Sequence, residues 1–176
     1  MPFTPYHLGP SLLFGLLLLS LIDFPTFLIA SVIVDIEPLL IFFFNLKFPL
    51  HGFFHSFVGG TIIALILTVI MTKTRKFFTP IMSFFKIEQD FSFKKILSAS
   101  VLGIYIHILL DSPLYTDIKP FFPFDFNPLY SIGLQGPLIQ MICVWCFLAG
   151  VIVYIIILIR FAIKSRNEHN KFVENK

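Results

Sequence analysis

Long apolar runs are the feature that most limits how this chain can fold. There are five of them, at residues 11–22, 24–44, 53–72, 95–112 and 137–160. A helix that crosses the hydrocarbon core of a bilayer needs about 20 apolar residues, with a range of about 17–25. The second, third and fifth runs reach that length, the fourth is near its lower limit and the first is short. The predicted fold class is an all-α polytopic membrane protein with about five transmembrane helices.

Composition excludes an ordinary soluble domain. Hydrophobic residues make up 57% of the 176 residues and charged residues only 13%, against about 25% charged residues in soluble domains. A soluble domain of this length has no interior large enough to bury that many apolar side chains. The length leaves room for one compact unit. We predict a single helical membrane domain at 1–163 and a charged cytoplasmic tail at 164–176.

Basic residues occupy two stretches and set the predicted orientation. Six lie at 73–95 and five at 160–176, and only Lys47 and Lys119 lie elsewhere. Because short cytoplasmic loops carry an excess of Lys and Arg, five spans place the N-terminus outside the cell and the C-terminus in the cytoplasm. The predicted location is the plasma membrane. The net charge of +3 then reflects topology. Membrane lipids are the expected partners, and nucleic acid is not.

Ionisable side chains within or beside the apolar runs are the strongest functional signal, because such groups are costly in a membrane. H-G-F-F-H at 51–55 and H-I-L-L-D at 107–111 each place two of them four residues apart, on one face of a helix. Asp35 and Glu37 interrupt the second run, and Pro38 is predicted to kink or restart its helix directly after them. Seven such groups are predicted on the extracytoplasmic half: His7, Asp35, Glu37, His51, His55, His107 and Asp111.

Imidazole and carboxylate groups gathered in one place predict a metal site. This donor set suits Zn, Mn or Fe, and a catalytic zinc site has three protein ligands and an open position for water. We therefore predict a divalent metal cofactor, zinc first, with Mn or Fe as alternatives. Glu37 or Asp35 is the predicted general base, because a carboxylate beside a coordinated water can accept its proton. The predicted ligands are His7, Asp35, His51, His55, His107 and Asp111.

Each of these groups also has a structural interpretation. His107 and Asp111 would hydrogen-bond to each other within their helix. Asp35 would be protonated and bonded to a neighbouring helix. His51 would sit in water at the membrane interface, and His7 would be exposed near the terminus. Under this interpretation the polar groups only hold helices together.

The loop at 112–136 is long and rich in proline and aromatic residues. It is predicted to lie at the membrane interface, either as a lid or lipid-facing rim, or as an anchor without a catalytic part. Asp117, Asp125 and Asn127 are its candidate site residues. Gly59 and Gly60 are predicted to allow close helix contact.

Several short motifs occur in a characteristic order: H-L-G at 7–9, D-I-E-P at 35–38, H-G-F-F-H-S at 51–56, H-I-L-L-D at 107–111 and F-F-P-F at 121–124. This order resembles the YdjM-type inner-membrane proteins, a family of metal-dependent hydrolases, over about residues 1–130. The resemblance implies that His7, Asp35, His55, His107 and Asp111 belong to the site. The chain departs from the family pattern where Gly52 replaces an arginine, Phe54 replaces a threonine and Glu37 replaces an aspartate.

These observations together predict a membrane-embedded hydrolase that cleaves a lipid-like ester or phosphoester through a metal-activated water. Two alternatives come from other classes. A divalent-cation transporter needs polar groups along a path through the membrane, and the fifth run is almost uninterrupted apolar sequence. A structural or partner-binding membrane protein would use the metal, or the polar groups alone, as a staple between helices.

Overall fold

The computed structural model describes residues 4–130 and 135–174. Within these residues the regular structure is entirely helical, which confirms the predicted all-α class. Short 3-10 turns lie at Thr4–His7, Phe53–His55 and Arg75–Phe78. The α-helices are α1 (Leu8–Leu17), α2 (Phe24–Ile33), α3 (Ile36–Phe43), α4 (Phe57–Thr74), α5 (Thr79–Phe84), α6 (Phe93–Asp111) and α7 (Gln135–Glu174).

Short polar residues begin the three helices at the centre of the fold. Asp23, Ser56 and Ser92 precede α2, α4 and α6, and each side chain accepts a backbone N–H three residues further on, at 3.2, 3.0 and 3.3 Å. Such caps satisfy N–H groups that have no partner inside the helix. The apolar runs alone do not mark these starts, and the caps fix where each helix begins.

Helix α6 packs against both α2 and α4, and α1 packs against α2 and α7. A buried apolar cluster fills the space between α2, α4 and α6, with Ala30, Ala64 and Ile104 fully buried in it. A Cβ on Gly60 would lie 2.7 Å from Ile108 and 2.8 Å from Ile104. Only a glycine therefore lets α4 approach α6 this closely, which confirms the contact predicted for Gly60.

The bundle has two polar ends. At one, which we call the His7 end, the side chain of His7 lies against Asp111 at the end of α6. At the other, the Asp23 end, the backbone N–H of Asp23 donates to the carbonyl of Lys95 at 3.2 Å, near the start of α6. The segment 7–23 therefore extends from one end of α6 to the other.

The described residues contain three helical stretches long and apolar enough to cross a bilayer: Phe57–Phe84, Phe93–Asp111 and Gly136–Glu168. A fourth exists if α2 and α3 form one bent span. Helix α1 has 10 residues, about 15 Å of helix, so the structure supports three to four spans by length where the sequence predicted five. Helix α7 continues to Glu174, so residues 164–174 of the predicted tail prolong it.

The bend in the second apolar run lies earlier than predicted. Helix α2 ends at Ile33 and α3 begins at Ile36 at an angle of 40°, so the break falls at Asp35 and precedes Glu37. Pro38 lies in the first turn of α3, where a missing N–H removes no helical hydrogen bond. The break turns Asp35 out of a regular helix and toward α6.

Candidate metal centre

Three separate elements bring four ligand-type side chains together at the His7 end. Asp35 comes from the break between α2 and α3, His55 ends the 3-10 turn before α4, and His107 and Asp111 occupy the last turns of α6. One atom of each lies within 4.8 Å of the corresponding atoms of the other three. His55 and His107 are fully buried and Asp111 nearly so, whereas Asp35 keeps 19% of its side chain exposed.

The shortest separations between these atoms match those of a coordination shell. Nε2 of His107 lies 3.4 Å from Oδ1 of Asp35 and 3.4 Å from Oδ2 of Asp111. Nε2 of His55 lies 3.9 Å from the same Asp35 oxygen. Donor atoms placed tetrahedrally at about 2.0–2.2 Å from one zinc ion are about 3.4 Å apart. The four side chains therefore surround a point that one such ion would fill.

The opposite ring nitrogens of both histidines are held in place. Nδ1 of His107 donates to the backbone carbonyl of Ser31 at 2.8 Å. Because a carbonyl only accepts, that nitrogen holds the proton of the neutral ring and Nε2 keeps its lone pair. Nδ1 of His55 donates in the same way to Glu37 at 2.9 Å. Such outer hydrogen bonds orient metal-binding histidines in known sites.

Both Nε2 atoms are buried without any hydrogen-bond partner, as is Oδ1 of Asp111. The nearest carboxylate oxygens lie 3.4 Å from Nε2 of His107, on Asp35 and Asp111, and 3.9 Å from Nε2 of His55, on Asp35. A buried polar atom without a partner is costly. A cation at this point would satisfy both Nε2 atoms, so the residues present fit a metal ion.

His7 lies beside this group. Its ring stacks against that of His107 at 4.1 Å between centroids, and its Nε2 is 3.2 Å from Oδ1 of Asp111. Its Nδ1 is buried and has no partner. The predicted exposed alternative for His7 is wrong, because the side chain is buried. It contacts the outer oxygen of Asp111, while the other oxygen faces His107.

Glu37, one of the two predicted bases, is occupied by three donors. Its carboxylate accepts from the N–H of Gly52 at 3.1 Å, from the N–H of Phe54 at 3.3 Å and from Nδ1 of His55 at 2.9 Å. A Cβ at residue 52 would lie 2.7 Å from Oε1 of Glu37. The carboxylate thus fills the space that a larger residue at position 52 would need, and its geometry suits positioning of His55.

His51, a predicted ligand, lies outside the four-residue group. Its Nδ1 and its backbone N–H both donate to Asp117, each at 3.0 Å. Burial and the neighbouring His55 lower the pKa of His51, so the contact is a hydrogen bond from a neutral ring. Burial acts to raise the pKa of Asp117, but the hydrogen bonds from His51 outweigh it and lower that pKa. His51 still touches the site, since its ring lies 4.8 Å from that of His55.

The loop after α6 contributes one residue that the sequence did not single out. Tyr115 stacks on His51 with ring centroids 4.0 Å apart. Burial, together with the charges of Asp111 and Asp35, raises its pKa. The sequence could have indicated Tyr115 only through its position, four residues after Asp111. Of the other loop candidates, Asp125 pairs with Lys119 and Asn127 donates to backbone carbonyls of the loop.

No family model, curated protein or solved structure matches this chain. The resemblance to the YdjM-type proteins therefore stays a prediction from sequence. The case for a metal rests on the buried nitrogen and oxygen atoms of the site itself.

Proposed function

We propose that this protein is a membrane-embedded, metal-dependent hydrolase of a lipid-like ester or phosphoester. The observation that carries the proposal is the pair of buried imidazole Nε2 atoms, both without hydrogen-bond partners and both within 3.9 Å of the same Asp35 oxygen. A pair of structural histidines would have its polar atoms satisfied. Here the unsatisfied atoms share one point.

Of the four groups, His55, His107 and Asp111 are the proposed ligands, and Asp35 lies beside the position left open for a water, because a catalytic zinc site has three protein ligands. Two imidazoles and one carboxylate suit zinc best, with Mn and Fe as alternatives. A bound divalent ion supplies a Lewis acid that lowers the pKa of a coordinated water to about 7. Two carboxylates also balance the charge of a divalent ion, which reduces the cost of burying it.

Other residues of the chain orient the ligands, accept a proton and line the entrance for substrate. Glu37 holds the ring of His55 in orientation through Nδ1, and the carbonyl of Ser31 does the same for His107. Asp35 has the more exposed of the two carboxylates, at 19% against 4% for Asp111, so it is the proposed proton acceptor. His51, fixed by Asp117, forms the wall on the side where a substrate would enter.

The proposed topology has five crossings with the His7 end outside the cytoplasm and the protein in the plasma membrane. The segment 7–23 supports the first crossing, because it spans the length of α6 from Asp111 to Lys95. Basic residues support the orientation, because the stretch 73–95, which joins α4 to α6 and includes their adjoining ends, carries six of them and lies at the Asp23 end.

The test uses detergent-purified protein whose metal content is measured beside its hydrolysis of phospholipids and of nitrophenyl esters and phosphodiesters. We expect a stoichiometric divalent ion and turnover that a chelator abolishes and added zinc restores. The His107→Ala variant is expected to lose both. A folded protein that binds metal but turns over none of these substrates would instead make the ion a staple between helices.

A further inference from the structure

Resting on the proposed hydrolase function, we infer that an apolar groove beside the centre binds one acyl chain of a bilayer lipid. The groove lies between the start of α4 and the loop after α6 and has a volume of about 700 Å³, within the about 300–1,000 Å³ of known ligand pockets. Its walls are entirely apolar: Phe57, Val58, Pro120, Phe121, Phe122, Phe124, Phe126 and Pro128.

The groove adjoins a polar cavity that lies next to the centre. Phe122 lines both. The cavity has about 190 Å³ and contains His51, Asp117 and the exposed cation Lys119. A ligand that fills both spaces must be apolar along one part and polar at its end. A lipid with its ester linkage in the cavity has this shape, and the linkage would then lie beside His51 and the ligand His55.

The walls of the groove are fixed in place by contacts within the chain. The N–H of Phe57 donates to the carbonyl of Pro120 at 2.9 Å, which ties the loop to the start of α4. The rings of Phe57 and Phe121 lie 5.4 Å apart, in the range for favourable aromatic pairs. The groove is therefore formed before a ligand arrives, which lowers the entropic cost of binding.

The lipid-facing side of α4 leads to the groove, which identifies the bilayer as the source of the chain. Val58 in the groove is 48% exposed, and Ile62, Leu65 and Val69 continue the exposed apolar face along the helix. Because Phe57–Phe84 is apolar and long enough to cross a bilayer, an acyl chain can enter sideways from the lipid without passing through water. A soluble peptide would lack this route.

The test is photolabelling in vesicles of phosphatidylcholine that contain a phospholipid with a diazirine on its acyl chain. Mass spectrometry of the labelled protein is expected to find adducts on residues 57–58 and 120–128. The variant Val58→Trp fills the groove and is expected to lower this labelling about tenfold. Val69→Trp lies 11 residues further on, on the same face of α4, and is expected to leave groove labelling unchanged.

A second variant, Phe126→Ala, removes one exposed wall and is expected to weaken labelling even if Val58→Trp fails to fold. Equal labelling of wild type, Val58→Trp and Phe126→Ala at the groove, or labelling spread evenly over the exposed face of α4, would overturn the inference. Photolabelling needs no turnover, so it separates the two proposals. Groove labelling without hydrolysis would refute the hydrolase and leave the lipid site standing. Equal hydrolysis by wild type and Val58→Trp, without groove labelling, would refute the lipid site and leave the hydrolase standing.

Discussion

The two polar ends of the bundle handle buried charge in opposite ways. At the Asp23 end, one oxygen of Asp23 accepts from Nε of Arg75, and the other accepts from the backbone and the hydroxyl of Thr26. At the His7 end, His55 and His107 present nitrogens that nothing in the described residues satisfies. The first group pairs a carboxylate with a guanidinium of the chain itself, whereas the second presents atoms that could bind a cation.

The count of unsatisfied atoms supports this contrast. Six side-chain nitrogen and oxygen atoms of the described residues are buried without hydrogen-bond partners, and four of them lie at the His7 end. At the Asp23 end only Nη1 of Arg75 is in this state, and the guanidinium there lies over the ring of Phe91 at 4.9 Å. Such a contact with a ring face partly compensates a cation. Burial of polar groups is thus no evidence of function by itself. The evidence of function is that the unsatisfied atoms point toward one another.

The largest expected effect is loss of the metal in His107→Ala. Removing a direct ligand should lower metal affinity by more than the about 10–100-fold that outer-contact losses cost. Elemental analysis of purified protein measures the stoichiometry. Ser100→Ala is the matched control, because Ser100 is a buried residue two turns earlier in α6. Metal retained in His107→Ala at the wild-type level would place the ion elsewhere.

The second effect separates the two ends by stability. Asp23→Ala leaves Arg75 buried without its carboxylate and should lower the free energy of unfolding by about 3–5 kcal/mol, with the metal still bound to the folded fraction. Urea unfolding in micelles, with and without chelator, measures both. The exposed Asp90 gives the control variant Asp90→Ala. If Asp23→Ala instead abolished metal binding in folded protein, the two ends would not be independent.

A smaller effect is expected from Glu37→Gln. The substitution keeps an acceptor for Nδ1 of His55 but removes the charge, so metal affinity should fall by about 10–100-fold without loss of the fold. Competition with a chelating metal indicator gives the affinity. Glu88→Gln controls for the lost charge, because Glu88 is exposed and lies at the Asp23 end. An unchanged affinity would show that Glu37 only caps the backbone of residues 52–54.

The smallest effect on the metal is expected from Asp117→Asn. Asp117 contacts His51 and none of the four groups of the centre, so metal affinity should stay within about twofold of wild type. Turnover should fall, because asparagine offers one acceptor oxygen where the two oxygens of Asp117 accept the ring N–H and the backbone N–H of His51. Measuring kcat and metal affinity on one preparation tests both parts. A drop in affinity as large as that of Glu37→Gln would bring His51 back among the ligands.

Helical spacing predicted one of the two histidine motifs correctly. His107 and Asp111 lie in regular helix, so four residues bring them to the same side of α6. The same argument for 51–55 is wrong, because α4 begins only at Phe57 and His55 ends a 3-10 turn. Gly52 and the cap Ser56 delay the helix, and His51 turns to Asp117 instead. Periodicity holds only where the helix exists.

Charge patterning likewise predicted positions but no partners. It separated the basic loop from the histidines, and the structure places the two groups at opposite ends of the bundle. It counted Arg75 as one more loop cation, whereas the side chain is buried against Asp23. That partner lies 52 residues away, and neither run length nor charge reveals such a contact. The carbonyl of Ser31 is invisible to sequence for a simpler reason, since every residue has one.

The centre draws its four groups from residues 35 to 111, and this spacing has a consequence for how the protein is made. A ribosome adds about 5–20 residues each second, so Asp35 is synthesised about 4–15 s before Asp111. His55 follows within the first few seconds, but His107 and Asp111 come only at the end of that time. A metal ion at this centre would therefore find all four groups only late in the life of the nascent chain, after α6 has docked. A chain released before α6 would lack two of the four groups that could hold it.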